Sequence, residues 1–446
     1  MRYLSRFCLL LILLVPLAIH AQSQTDTDAA KAVLAKFVNG DFAGLYAQLG
    51  DQVKAAVTQD QLAHSWQSIT TSEGAFQKIG DITAGPVDHS VVLTLQFEKG
   101  QLNLVIAFDT DGKIIGLRFM PAAGAPTQIA PTPTYADASA FTENPVTVGD
   151  FKLHGTITMP SAAVGAGAGP FPAVVLIAGS GPEDQDETIG PNKPFRDLAW
   201  GLAAQGIATI RFDKRTYQPK TALDLKTFTV KEEYIDDSVA AIDLISQTQG
   251  IDPAKVFILG HSQGGYVLPR IAQAADGKVA GMIIASGLAT SLQEAILRQT
   301  RYLLSLSEAT PTADATEDPQ VTAIQSLIDQ IAALTPSSPT DKLLLGAAPA
   351  YWLDLKGYEP VALAASLPQP ILVLQGARDY QVTVADDLSL WQAGLANHAD
   401  TTFKTFPDLN HIYVTGTGMS TPAEYNQPGN VASEVIDAVA AWVKAH

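Results

Sequence analysis

The chain has 446 residues, more than one hydrophobic core ordinarily serves, so two domains are expected. Hydrophobic residues make up 47% of it, which excludes global disorder. The formal net charge of −17 becomes −19 without Arg2 and Arg6, and with no basic cluster present nucleic acid is excluded as an expected partner.

The N-terminus has the form of a secretory signal. Arg2 and Arg6 precede the apolar run Cys8 to Leu17, and Ala18-Ile19-His20-Ala21 offers a cleavage point after Ala21. The run is too short for a comfortable membrane span, and no Cys sits at the cleavage point to carry a lipid. Residues 1–21 are therefore expected to be removed, leaving a secreted or periplasmic protein without stable membrane insertion. Cys8 is the only cysteine, so the mature chain has no disulfide, no Cys-ligated metal and no thiol nucleophile.

Residues 27–120 predict a small α+β domain. Ala32 to Leu49 carries helical spacing interrupted at Asn39-Gly40-Asp41, and a second helical stretch surrounds Gln59 to Ile69. Strand-type runs follow at Phe76 to Ile82, Val91 to Phe97, Leu102 to Phe108 and Ile114 to Phe119, separated by hairpin signals at Lys99-Gly100 and Asp111-Gly112. Helices followed by a strand meander predict a curved sheet wrapped over helices. His64, Trp66 and His89 stand out here, and with no serine motif beside them they are expected to pack or face solvent. Residues 121–140, rich in Pro, Ala and Thr, predict an extended linker.

From 141 onward strands and helices alternate. Val146 to Val148 and Leu153 to Met159 open as a hairpin, and strands are expected at 173–177, 207–212, 256–259, 279–285, 371–374 and 401–406. Helices are expected between them, including one striped by Ile235, Val239, Ile242 and Ile245 and a last one carrying Val431, Val435, Val439, Trp442 and Val443. This grammar predicts a doubly wound, mostly parallel α/β sheet spanning 141–446, with ligands beyond the C-terminal strand ends. Residues of about 290–358 interrupt the alternation with helices and polar loops, as a helical cap insertion would.

The chemistry centres on Gly260-His261-Ser262-Gln263-Gly264, set between a buried apolar strand and an amphipathic helix. In that setting G-x-S-x-G makes a sharp turn that lifts the serine above the sheet edge, so Ser262 is the expected nucleophile. A serine needs a base and an acid to orient it, in the order serine, acid, histidine, each after a late strand. Asp379 follows the 371–374 strand and His411 follows the 401–406 strand, on the same edge as Ser262. His261 would point away from substrate, His398 precedes a strand on the opposite edge, and His446 is the terminus. Asp386 and Asp408 are the alternative acids, and a cap on the helix near Thr383 is the competing role for Asp379. The oxyanion hole is expected from the amide of Gln263 and one in the loop Ala178-Gly179-Ser180-Gly181-Pro182, with Ser180 favoured over Gly181.

Together with Arg211-Phe212-Asp213-Lys214-Arg215, Gln375-Gly376-Ala377-Arg378-Asp379-Tyr380 and Asn410-His411, these motifs resemble exported bacterial α/β-hydrolases of the dienelactone-hydrolase and acyl-esterase type. The N-terminal part resembles a small cystatin-like cone domain of unknown function. Ala178 stands where many relatives carry His, and Lys214-Arg215-Thr216-Tyr217-Gln218 stands where they carry a Gly-rich continuation. The resemblance implies a serine carboxylesterase acting on esters of small acyl groups, with a small-molecule ester as partner and with neither metal nor cofactor. Peptidases and thioesterases occur among the relatives. The acidic run Glu183, Asp184, Asp186, Glu187 could hold a peptide amino group, or simply be a solvated loop. A binding protein with a vestigial hydrolase is the remaining alternative.

Overall fold

The computed structural model describes residues 24–50, 53–54, 57, 59–85, 89–121, 130–161, 169–218, 223–224, 226–306, 318–339 and 343–446. The expected signal at 1–21 and residues 122–129 of the expected linker lie outside them. The chain forms two compact units: 1–127 with 222–227 and 300–350, and 128–221 with 228–299 and 351–446. The expected cap at about 290–358 is thus divided, its central 300–350 grouping with the N-terminal residues. Among the described residues no helix is long and apolar enough to cross a membrane.

In the first unit, helices α1 (Gln24–Asn39), α2 (Phe42–Gln48) and α3 (Gln59–Glu73) precede strands β1 (Phe76–Ala84), β2 (Ser90–Phe97), β3 (Gln101–Phe108) and β4 (Ile114–Pro121). The four strands form an antiparallel meander in chain order. The break between α1 and α2 has a local cause. Gly40 takes a φ of +70°, and Asp41 caps the second helix by accepting the Gly44 amide at 2.9 Å. One face of the sheet is closed by Val33, Leu34, Phe37, Leu45 and Trp66 from the helices, packed on Leu93, Leu95, Leu104 and Ile106. Trp66 is therefore a core residue, whereas His89 Nδ1 meets Asp26 Oδ2 at 3.2 Å on the surface. The His64 side chain lies outside the described residues.

The second unit is built on an eight-stranded sheet of order β12-β11-β10-β9-β7-β8-β6-β5. The strands are β5 (Phe141–Val148), β6 (Leu153–Pro160), β7 (Phe171–Ile177), β8 (Ala208–Phe212), β9 (Ile251–His261), β10 (Gly281–Ala285), β11 (Ile371–Gly376) and β12 (Thr401–Phe406). The hairpin β5-β6 is antiparallel and joins β8 antiparallel, while β8, β7, β9, β10, β11 and β12 run parallel. The central strands are apolar over Ala173 to Ile177, Val256 to Leu259 and Met282 to Ala285, where they are buried on both faces. Phe195, Leu198 and Leu202 from helix Pro194–Ala204 and Val435, Val439 and Val443 from helix Ser433–Ala445 close one face. The strand order reverses between β7 and β9, the position at which doubly wound sheets bind ligands.

Some elements differ from the sequence expectation. Strand β9 begins at Ile251 rather than Val256, pairing with Phe171 across a register shift. The helix expected near Thr383 starts with a wider turn at Val384–Leu388, closed by Ser389 N to Val384 O, before a short helix Ser389–Gly394. A similar turn at Lys231–Ile235, closed by Asp236 N to Lys231 O, precedes helix Asp236–Ser246. It rotates the stripe, so that Glu233, Tyr234 and Asp237 are buried beside Ile235, Ile242 and Ile245.

Candidate active site

Ser262 sits between the end of β9 and helix Gln263–Ala274 with φ +53° and ψ −118°, a backbone state rarely adopted by a residue with a side chain. The flanking glycines make this turn possible. A Cβ on Gly260 would run into the Gly264 carbonyl, and one on Gly264 would run into the carbonyls of Ile177 and Ala178. The Ser262 amide donates to Ala285 O at 3.0 Å, which ties the elbow to the end of β10. The serine itself is partly exposed.

Asp379 and His411 meet: His411 Nδ1 donates to Asp379 Oδ2 at 2.6 Å, with both residues buried. Asp379 Oδ1 accepts the amides of Gln381 at 2.8 Å and Val382 at 3.0 Å, and Gln375 Nε2 approaches Oδ2 at 3.3 Å. The carboxylate therefore orders its own loop as well as the imidazole, while Thr383 caps the following turn. The His411 loop is pinned by Asn410 Oδ1, which accepts the amides of Ile412 and Val414, and by Tyr413, whose hydroxyl donates to Leu374 O at 3.1 Å. Arg378, beside the acid, donates to Gly418 O at 2.6 Å and to Glu424 at 2.6 Å. The loops after β11 and β12 are thus held together on the edge that carries Ser262.

The other candidates fall elsewhere. His398 Nε2 donates to Leu367 O, His446 Nε2 reaches Asp400, Asp386 accepts from Thr383 on the surface, and Asp408 is exposed. His261 turns inward, with its ring centroid 4.6 Å from that of His411. Its Nδ1 lies 2.9 Å from Glu187 Oε1 and its Nε2 lies 2.9 Å from His411 O. Both neighbours offer acceptor oxygens, and a doubly protonated ring satisfies both contacts at once. Burial alone would lower its pKa, but the Glu187 charge and the hydrogen bonds outweigh burial and raise it.

The loop after β7 reaches the elbow. A Cβ built on Gly179 would stand 3.1 Å from that of Ser262. Gln263 is the first helical residue, so its amide has no helical carbonyl before it. Ser180 lies at the exposed surface of the loop and Gly181 takes φ +98°. Three of the four acids that follow have internal partners. Asp184 accepts from Thr188, Asp186 pairs with Lys193 and Arg211, and Glu187 accepts the Gly179 amide at 2.6 Å besides His261. Burial, reinforced by the Glu187 charge, pushes Glu183 up to about 8. Sequence reasoning missed the buried partners Lys214, Glu233 and Tyr351 beside this loop; the only signal was Lys214 within the Arg211 to Arg215 motif.

Residues 193–415 match the model described as serine aminopeptidase, S33, and residues 30–117 match a protein of unknown function, DUF3887. Esterase EstD of Thermotoga maritima is 35% identical over 395 residues, which cover 88% of this chain and 89% of that one. The chain belongs to the α/β-hydrolase esterases. Among solved structures, Est1E from Butyrivibrio proteoclasticus aligns at 15% identity over 68% of this chain and 99% of that one, with a TM-score of 0.43. A puromycin-hydrolyzing peptidase of Mycobacterium tuberculosis aligns at 17% identity over 80% of this esterase and 45% of that chain, also with a TM-score of 0.43.

Proposed function

We propose that this esterase cleaves carboxylic esters of small acyl groups through an acyl-enzyme on Ser262, with His411 as base and Asp379 as its orienting acid. The observation that supports it most is the 2.6 Å Asp379–His411 hydrogen bond, formed on the sheet edge where a strained elbow carries Ser262. Ser262 Oγ adds to the ester carbonyl carbon while its proton passes to His411, and the carbonyl electron pair becomes an oxyanion. The amides of Gln263 and Ser180 receive that charge at the helix N-terminus. Collapse of the adduct expels the alcohol, which takes the proton from His411, and water repeats the sequence to release the acid. Asp379 holds the Nδ1–H tautomer and stabilises the imidazolium without itself being protonated.

Esters are favoured over peptides because Asp184, Asp186 and Glu187 are committed within the protein. Export through the signal at 1–21 to the periplasm or exterior belongs to the same proposal. In the test, Ser262→Ala abolishes turnover of p-nitrophenyl acetate and butyrate and labelling by a fluorophosphonate, with an unchanged circular dichroism spectrum. Undiminished hydrolysis by that variant, or faster turnover of an aminoacyl-nitroanilide than of the esters, overturns the proposal.

A further inference from the structure

Lys214 lies in a motif the triad does not use, and its ammonium is buried with all three N–H groups engaged. It donates to Gly179 O at 2.9 Å, to Glu233 Oε1 at 2.7 Å and to the Tyr234 hydroxyl at 2.8 Å. Tyr234 Oη in turn donates to the same Gly179 carbonyl at 2.7 Å. On the other side of the glycine, its amide donates to Glu187 at 2.6 Å. Gly179 is thus fixed at both its polar atoms, one residue before the expected oxyanion donor and in contact with Ser262.

The planarity of the peptide bond turns this clamp into a statement about Ser180. The only cis bond among the described residues is Gly169–Pro170, so the Gly179–Ser180 peptide is trans. In a trans peptide C=O and N–H point in opposite directions. Two donors on the Gly179 oxygen therefore aim the Ser180 N–H away from Lys214, and a cation on the carbonyl polarises that N–H into a stronger donor. The same network reaches the second donor. Glu233 Oε2 accepts from Tyr351 Oη at 2.7 Å, and that hydroxyl accepts from Gln263 Nε2 at 2.6 Å. Gln263 and the Gly179–Ser180 peptide are thus the two ends of one buried chain, Gln263–Tyr351–Glu233–Lys214–Gly179.

We propose that Lys214, with Tyr234, is the positioning element of the oxyanion hole, orienting and polarising the Gly179–Ser180 peptide so that the Ser180 amide receives the developing charge. It acts through that peptide and does not touch substrate. The role rests on the triad proposed above.

Tyr234→Phe removes one of the two donors to Gly179 while leaving the buried charges balanced. Lys214→Met combined with Glu233→Gln removes the cation and its counter-charge together. Both variants are assayed for p-nitrophenyl butyrate hydrolysis and for inhibition by an alkyl trifluoromethyl ketone. With that ketone Ser262 Oγ adds to the carbonyl carbon, its proton passes to His411, and the oxygen becomes a hemiketal oxyanion. Losing one oxyanion donor lowers kcat by about 10²–10³. The double variant is expected to approach that loss and Tyr234→Phe about tenfold, with KM within twofold and ketone affinity falling in parallel with kcat/KM. On a ketone labelled with ¹³C at the carbonyl, hemiketal ionisation moves to higher pH in both variants, a shift that loosened packing would not produce.

Unchanged kcat and ketone affinity in Tyr234→Phe and the double variant, with fluorophosphonate labelling of the wild type intact, overturn the role of Lys214 alone. Loss of kcat without any movement of hemiketal ionisation does the same. Failure of the wild type to label overturns both this role and the triad. If the double variant does not fold, Tyr234→Phe decides the outcome.

Discussion

The Nε2 of His261 lies 2.9 Å from the carbonyl oxygen of His411, so the residue before the expected nucleophile holds the backbone of the expected base. Through Nδ1 the same ring reaches Glu187 Oε1, which also accepts the Gly179 amide. One carboxylate oxygen and one imidazole ring thereby join the elbow, the histidine loop and the loop after β7.

Glu187→Gln should therefore weaken the fold as well as the site. Breaking a buried pair by removing one charge costs about 3–5 kcal/mol. The sign of its pH dependence follows from the raised pKa of His261. A histidine whose folded pKa exceeds its unfolded value stabilises fully below about 6.5 and loses that contribution as pH rises through the folded value. Asp379 and Lys214 also bear on this region and keep their charges, while loss of the Glu187 charge relaxes Glu183, whose titration then narrows the gap toward alkaline pH in the same direction. The gap between wild type and variant, read by urea unfolding, is expected to be widest near pH 6 and to narrow toward alkaline pH. ¹⁵N spectra of labelled histidine should show two protonated ring nitrogens for His261 in the wild type at pH 6, below the ordinary histidine value of about 6.5.

Asp379→Asn should leave the loop formed, because the amide oxygen can still accept from Gln381 and Val382. It removes the acceptor that selects the His411 tautomer. In triads of this kind such a change lowers kcat by about 10⁴. With ground-state contacts intact, KM for p-nitrophenyl butyrate should change little. A kcat within tenfold of wild type would instead leave Asp379 as a loop-ordering residue.

The parts legible in the sequence were those whose signal is local. Val256 to Leu259 reads as a buried strand because it is apolar at every position, and Gly260 and Gly264 mark a close backbone approach within five residues. Asp379 and His411 stood out as candidates because each follows a strand run readable in the sequence, the apolar 371–374 and the mixed 401–406. What was not legible depended on partners distant in sequence. Lys214 and Glu233 are 19 residues apart, and Glu233 and Tyr351 are 118 apart. The wider turn at Lys231–Ile235 also shifts the helical phase, so counting apolar residues at 3.6 spacing found Ile242 and Ile245 but not the inward Glu233 and Asp237.

Two glycine substitutions should separate steric from conformational cost. Gly264→Ala drives a methyl into the carbonyls of Ile177 and Ala178, backbone that cannot yield without moving the loop after β7. Overpacking of that kind costs about 1–3 kcal/mol, and activity should fall further than stability. Gly277→Ala meets nothing within 4 Å and has φ +79°. It should cost only the left-handed backbone preference, about 1–2 kcal/mol, with kcat unchanged. Melting temperature and p-nitrophenyl ester turnover of the two variants test the contrast.

Glu183 sets a last expectation, because it stands near charges of both signs. Burial and the Glu187 and Asp184 charges raise its pKa to about 8, against the opposing pull of Lys214 and His261. An acid with a folded pKa above its unfolded value of about 4.5 folds without penalty below that value. Between pH 4.5 and 8 the unfolded chain is ionised while the folded one keeps its proton, so stability falls steadily, and above 8 the penalty is complete. Glu183→Gln removes this titration. Relative to wild type, the variant should gain nothing at pH 4, gain progressively through neutrality and level off above pH 8. Urea midpoints at pH 4, 6, 7, 8 and 9 measure the difference. A constant offset across that range would mean that the Glu183 pKa is the same in the folded and the unfolded chain, with Lys214 and His261 cancelling burial.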